Sequence, residues 1–359
     1  MLALYVHPGF QMIRHIEISN FRCYRHLELH VPARLNVIVG DNGSGKTSLL
    51  EAIFLALCST TQIALRYRQE RGLEGAFTGT ARRVEEAIFA DLFYDRNTRM
   101  PISIVLDGDG DDKRSVAISR GTGGAVLPFG DEAASIVSTL PIKFSWTNSV
   151  GNVIELSPTI TSSALSFPDT GEDLPDFFFI PANTITGSVE QAQRFSDLNT
   201  TGRRGAFIEF IRSEYPWIEN LSVEAVAGAP AIFAKSIGKQ GIPLPAVSSG
   251  INRLVGLLLC MATREKSVLL VDEIEVGTHY SHHQAIWSGL LKFMREYDSQ
   301  LFVTTHSLEC LQSLVKAAGR QVDDIALWRV ERGVDGIPEI RQFSGDDLVA
   351  GVEFGQEVR

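Results

Sequence analysis

Gly40-Asp41-Asn42-Gly43-Ser44-Gly45-Lys46-Thr47 is the stretch that decides the fold. It follows the pattern of a glycine, four variable residues, then Gly-Lys-Ser/Thr, and its flanks agree with it. Leu35 to Val39 is a short apolar run of strand formers, the pattern of a strand buried on both faces. Thr47 to Cys58 carries Leu49, Leu50, Ile53 and Leu57 at helical spacing. Strand, glycine loop and helix together make a phosphate cradle. Backbone N–H groups converge on a β-phosphate only where few Cβ atoms intervene, and the helix start adds free N–H groups and its dipole. Lys46 supplies a point charge to the β- and γ-phosphates, and the Thr47 hydroxyl is a hard oxygen ligand for Mg²⁺. A guanine-reading Asn-Lys-x-Asp segment is absent, so ATP with Mg²⁺ is the expected ligand pair.

Three polar sites downstream extend the pattern. Val268 to Val271 is an apolar strand ending in Asp272 and Glu273. In a parallel sheet the strand C-termini face the ligand crevice. Asp272 is therefore expected in the Mg²⁺ shell, and Glu273 as the general base on the attacking water. Glu275 reads equally as a second acidic ligand or as a solvated turn residue. Ser248-Ser249-Gly250 opens a helix and offers hydroxyl and N–H donors to an anion. Val303-Thr304-Thr305-His306-Ser307 puts a histidine past another strand, where it reaches a γ-phosphate and its attacking water. His279, His282 and His283 lack a ligand set at zinc spacing and read as the start of a surface helix. Asp107 to Asp112 lacks the distal glutamate of a calcium loop and reads as a turn.

Outside these motifs the pattern predicts strands at Met12–Ser19, Tyr24–Val31, Glu86–Tyr94, Pro101–Leu106, Lys113–Ser119 and Phe177–Ile180. A helix at Gly205–Glu214 and a hairpin of Leu221–Val226 with Ala231–Ser236 follow. Helices at Ser249–Thr263, Tyr280–Tyr297 and from Ser307 alternate with strands at Ser267–Val271 and Gln300–Thr304, and Ile325–Val330 with Ile337–Gln342 closes the chain as an edge hairpin. Strands alternating with helices in the second half indicate a parallel sheet with crossover helices. With 44% hydrophobic and 21% charged residues the 359-residue chain has the profile of a soluble globular protein. No run of about 18 apolar residues predicts a membrane span. No signal peptide is evident, and Met12 reads as a plausible start. Cys23, Cys58, Cys260 and Cys310 are too scattered for a metal site and fit a reducing, cytoplasmic setting. A net charge of −10 argues against a general nucleic-acid coat, though Arg66, Arg68, Arg71, Arg82 and Arg83 could form a local basic patch.

Five stretches together resemble the ABC-class ATPases, in the branch of the overcoming-lysogenization-defect (OLD) ATPases and the chromosome-maintenance and recombination-repair relatives. They are Ile16–Arg22, the loop through Thr47 with Ser48–Ile53, Ser248–Gly250, Leu270–Glu275 and Thr304–Ser307. The resemblance implies an α/β P-loop NTPase with an ABC-type head, a mixed or parallel sheet flanked by helices, and an antiparallel β subdomain. Residues 12–359 would form one such domain, with 12–58 and 219–345 as nucleotide-binding core. Residues 59–218 would be the β subdomain and a helical or lid insertion, and residues 1–11 an extension. It also implies a head-to-tail ATP sandwich in a homodimer or higher oligomer, with Ser249 and Gly250 acting in trans. Ser48 and Arg22 join the nucleotide contacts, Gly277-Thr278-His279 takes the place of the D-loop, and Gln62 is a candidate for the Q-loop. Tyr280 stands where relatives usually carry proline. The chain ends too soon after the core for a Toprim nuclease domain, and no heptad run supplies a coiled-coil arm. The expectation is a stand-alone ATPase governing a separately encoded effector, such as a nuclease in anti-phage defence. The alternatives are a repair ATPase that clamps DNA directly, a transporter subunit and a slow ATP-dependent scaffold.

Overall fold

A computed structural model describes residues 12–58, 60–62, 86–121, 138–139, 141–160, 165–169, 176–182, 187–333 and 335–354. They fall into two compact units. One draws on Met1–Pro32, Gly43–Pro175 and Glu331–Glu339, the other on Ala33–Asn42, Asp176–Val330 and Ile340–Arg359. The phosphate loop passes from the second unit into the first between Asn42 and Gly43.

The first unit is built on β1 (Ile13–Phe21), β2 (Tyr24–His30), β4 (Ile102–Gly108), β5 (Lys113–Arg120), β7 (Ile142–Thr147) and β8 (Val153–Leu156). They form a six-stranded antiparallel sheet in the order β2-β1-β4-β5-β7-β8. Period-2 alternation gives each central strand one apolar face. Register then lines Leu27, Ile18, Ile104, Val116 and Trp146 into a row across the sheet. Helix α1 (Lys46–Leu57) packs on this sheet, and Trp146 Nε1 donates to the Leu55 carbonyl at 3.3 Å. Phe144 stacks on Trp146 with centroids 5.3 Å apart. Three short strands, β6 (Ser138–Thr139), β9 (Thr159–Ile160) and β10 (Leu165–Ser166), pair separately in the order β10-β9-β6.

Residues 86–94 correct an expectation. They form a helical turn over 86–89 and a 3₁₀ turn at Ala90–Leu92 instead of a strand. Ile88, Phe89, Leu92 and Phe93 are all buried, at helical rather than alternating spacing. Phe93 meets β1 in a single bridge to Phe21, and the Arg22 N–H donates to the Leu92 carbonyl, so the segment touches the end of the strand without extending a ladder along it.

The second unit is built on β3 (Leu35–Val39), β11 (Phe177–Ile180), β15 (Val268–Val271), β16 (Gln300–Thr304), β17 (Ile325–Arg332) and β18 (Pro338–Ser344), in the order β11-β15-β16-β3-β17-β18, with the end of β17 from Glu331 and the start of β18 through Glu339 counted in the first unit. The pairs from β11 to β17 are parallel. Strands β3, β15 and β16 are buried at every position, the polar Asn36, Gln300 and Thr304 included. The helices are α2 (Ser188–Thr200), α3 (Arg204–Glu214), the short α4 (Leu244–Val247), α5 (Ser249–Ala262), α6 (His283–Glu296), α7 (Leu308–Ala318) and α8 (Gly345–Glu353). Phe195, Phe207, Phe210 and Phe293 knit α2, α3 and α6 together edge to face, with centroids 5.6–6.0 Å apart. A small sheet of β12 (Ile218–Val226), β13 (Ala229–Ser236) and β14 (Ile242–Pro243) completes the unit. The expected helix at 280–297 begins as a 3₁₀ turn at Tyr280–His282 before α6. No helix among the described residues is long and apolar enough to cross a membrane.

Candidate functional site

In the first unit, Gly43 to Ser48 run into the start of α1. Gly45 holds φ at +123°, a conformation that side chains resist, and a Cβ there would lie 2.8 Å from the Tyr24 hydroxyl. That hydroxyl donates to the Gly45 carbonyl at 3.1 Å. Tyr24, on β2, is thus the floor of the loop, and burial raises its phenol well above the usual value. Lys46 is buried, and Ser44 is buried with its hydroxyl lacking a hydrogen-bond partner among the described residues. Thr47 and Ser48 are half-buried. Cys23 is also half-buried; burial raises its thiol, and a hydrogen bond with the Ser48 side chain pulls the other way.

Arg22 lies at φ +52° between β1 and β2. Its Nε donates to Glu51 on α1 at 3.1 Å, and Nη1 donates to the Asp91 carbonyl at 2.9 Å. Both members of the ion pair are nearly inaccessible, so the guanidinium ties the strand corner to the helix. Gln62 is exposed, and its N–H bonds the Thr60 hydroxyl. In the acidic turn, Asp107 pairs with Lys113 and His15, and Asp109 with Arg14. The five arginines of the basic segment lie outside the described residues.

In the second unit the strand order decides everything. Because β3 sits beside β16 and β16 beside β15, three strand C-termini share one edge of the sheet. Gly40, Asp41 and Asn42 continue from β3, Asp272 and Glu273 from β15, and Thr305 and His306 from β16. Gly40 is buried, while Asp41 and Asn42 are exposed. The Thr305 N–H donates to Ile38 O at 3.1 Å, closing the seam between β16 and β3.

The Thr304 hydroxyl donates to Asp272 Oδ1 at 2.7 Å and accepts from the Glu273 N–H at 2.8 Å. Glu273 stands at φ +46°, a strained backbone for a non-glycine residue. Its N–H is held by Thr304 and its carbonyl by Arg253 Nη2 at 3.1 Å, so the strained conformation is pinned from both ends. Arg253 lies on α5, four residues after Ser249. Burial lowers its pKa, opposed by the nearby charges of Glu275, Asp272 and Glu273.

Glu275 is not a solvated turn residue. Its side chain is nearly buried, and Oε1 accepts from the His306 N–H at 2.9 Å while standing 3.0 Å from His306 Nδ1. Glu273 Oε1 lies 4.0 Å from the same nitrogen. A carboxylate on Nδ1 fixes the ring's orientation.

Ser248 caps α5, accepting from the Ile251 N–H at 3.4 Å. Ser249 is exposed and Gly250 buried, against the His282 ring. His282 Nδ1 lies 2.9 Å from the Tyr215 hydroxyl, whose pKa burial pushes up to about 12. His279 packs on the exposed Tyr280 with centroids 4.2 Å apart.

Sequence reasoning missed Tyr24, Thr304, Glu275 as the partner of His306, and Arg253. Each acts through a contact distant in sequence. The one local signal was a threonine ending β16 just ahead of the histidine. Taken separately, the residues of each unit suit ATP with Mg²⁺: in the first, a loop a Cβ would obstruct, an orphaned buried Ser44 hydroxyl and the hard oxygen of Thr47; in the second, the hard oxygens of Asp272.

Residues 15–162 match the model of the AAA domain family and residues 166–311 that of the AAA ATPase domain family. A DNA replication and repair protein RecF of Thermomicrobium roseum is 38% identical over 97 residues, 26% of this chain and 24% of that protein. The matches to this and two further RecF proteins cover no more than 24% of their own length. An ATP/GTP phosphatase of Helicobacter pylori is 20% identical over 338 residues, 84% of this chain and 87% of that protein. An SMC head bound to the C-terminal winged-helix domain of ScpA superposes with a TM-score of 0.51 at 15% identity, covering 92% of this chain and 97% of that one. Two AAA-type family models thus match successive parts of the chain, and its fold is that of an SMC head.

Proposed function

We propose that this chain is an ATP-binding and ATP-hydrolysing dimer switch that governs a separately encoded effector. The observation that carries the ATPase reading is the shared edge of β3, β16 and β15, with the phosphate loop, His306 and Asp272–Glu273 leaving adjacent strands. In this reading residues 12–359 form one ABC-type head. Gly40 to Thr47 wrap the triphosphate, with Ser48 continuing the helix start, and Lys46 neutralises β- and γ-phosphate charge. Arg22 supports the site through Glu51 and α1. Thr47 and Asp272 would hold Mg²⁺, which would offset phosphate charge.

Glu273 accepts a proton from the attacking water as its oxygen bonds to the γ-phosphorus and the bond to the β-γ bridging oxygen breaks. His306, oriented by Glu275, donates from Nε2 toward the γ-phosphate. Ser248 caps α5, so the exposed Ser249 and the helix N-terminus beside Gly250 are free to meet the nucleotide of a second copy, head to tail. The decisive test is Glu273→Gln in ATP and Mg²⁺. The variant should bind ATP, hydrolyse it at least about 100-fold more slowly, and accumulate as a dimer or higher oligomer in light scattering. Wild-type turnover by Glu273→Gln overturns the base assignment.

The effector reading rests on the resemblance to OLD-type ATPases and places the protein in the cytoplasm, with anti-phage defence as the setting. Purifying tagged Glu273→Gln from its host with ATP and Mg²⁺ should recover a stoichiometric second protein. The RecF matches favour one second reading, a repair ATPase that clamps DNA. It predicts DNA alone in that purification, held only with ATP and lost as salt is raised.

A further inference from the structure

We propose that Arg332 is a positioning residue of the nucleotide site: it locks one peptide of the phosphate loop so that the Ser44 N–H faces the triphosphate. This rests on the reading that the loop binds ATP. Arg332 ends β17, nearly 290 residues beyond the loop in sequence, and belongs to the same unit as Gly43 to Thr47. Its Nη2 donates to the Gly43 carbonyl at 2.7 Å and its Nε to the same oxygen at 3.1 Å. Two donors from one planar cation on one carbonyl fix the direction of that C=O.

The peptide bond makes this a statement about the next residue. The Gly43 carbonyl and the Ser44 N–H belong to one planar trans unit and point in opposite directions. Pulling the carbonyl outward therefore turns the Ser44 N–H the other way, into the concave side of the loop where an anion is cradled. Gly43 needs such a lock. At φ +74° with no Cβ, its peptide reorients at little steric cost. A cation on the carbonyl also polarises the peptide and strengthens the N–H at its far end. Arg332 is itself exposed, so its own packing contributes little to the fold.

Calorimetric titration of ATP·Mg²⁺ into the full chain tests this, comparing wild type with Arg332→Met, Arg332→Lys and, as control, Lys46→Ala. Arg332→Met keeps the side-chain length and loses every donor, and should weaken ATP binding about ten-fold. Arg332→Lys should recover part of that loss. The thermal midpoint without nucleotide should stay at the wild-type value in both, while the upshift on adding ATP shrinks in Arg332→Met. Equal ATP affinity for wild type and Arg332→Met overturns the role of Arg332 and leaves the ATP reading intact. Failure of wild type itself to bind ATP overturns both. Should Arg332→Met fold poorly, Arg332→Gln is read by the same criteria.

Discussion

The loop residues Gly43 to Thr47 and the strand-end cluster of Asp272, Glu273, Glu275 and His306 belong to different units and are shaped by different forces. The loop is backbone chemistry: glycines at φ values that side chains resist, carbonyls held by Tyr24 and Arg332, and a helix start. The cluster is side-chain chemistry. One threonine hydroxyl serves both Asp272 and Glu273, one carboxylate holds both nitrogens of His306 nearest it, and Arg253 closes over the strained Glu273. A backbone site is most sensitive where a Cβ would intrude, with Lys46 as the side chain it cannot spare. A networked site is sensitive at every partner, because each removed group leaves another buried and unmatched.

Lys46→Ala against Glu273→Gln should separate the two regions most widely. The first should abolish ATP binding in a filter or calorimetric assay. The second should leave binding and remove turnover by about 10²–10⁴-fold. Parallel loss of binding in both variants would collapse the distinction.

Next comes Gly45→Ala. It forces a side chain onto φ +123° and a Cβ within 2.8 Å of the Tyr24 hydroxyl. Strain and the displaced tyrosine should lower stability by about 2–4 kcal/mol, measured by urea unfolding. A neutral result would show that the loop yields rather than being held.

Thr304→Val keeps shape and removes one hydroxyl from beneath Asp272 and Glu273. It should reduce stability by about 1–3 kcal/mol and slow turnover, with ATP affinity nearly unchanged. Unaltered turnover would argue that Glu273 keeps its strained backbone without the Thr304 clamp.

The smallest effect concerns pH. Burial lowers the pKa of His282 and of His283 below the ordinary histidine value. The unfolded chain therefore binds more protons than the native one as pH falls below about 6.5. Stability from these groups is present above that pH and is lost as pH drops through their folded values. Unfolding free energy should thus decline from pH 7 to 5, and His282→Asn with His283→Asn should flatten the decline. An unchanged slope would assign it to other groups.

Much of this site was legible without coordinates. The phosphate loop, Asp272–Glu273 and the polar strand end at His306 announce themselves through local spacing. The strand bounds of Leu35–Val39 and Gln300–Thr304 follow from runs dominated by apolar strand formers, although the burial also takes in Asn36, Gln300 and Thr304. Residues 86–94 misled for the complementary reason. Their aromatic and aliphatic content suits either a strand or a buried turn, and only the burial of Ile88, Phe89, Leu92 and Phe93 at helical spacing decides between them.

The sequence by itself determined which residues offer phosphate, metal and proton chemistry, since those demands are met by residue type within a few positions. Only the tertiary structure decided their company. The order β15-β16-β3 brings Asp272, Thr304 and Ile38 side by side from three distant segments, and the return of the chain after β17 sets Arg332 on Gly43. Strand order and cross-chain clamps come from which surfaces bury together, and local periodicity, which records only that a surface is apolar, carries no information about its partner.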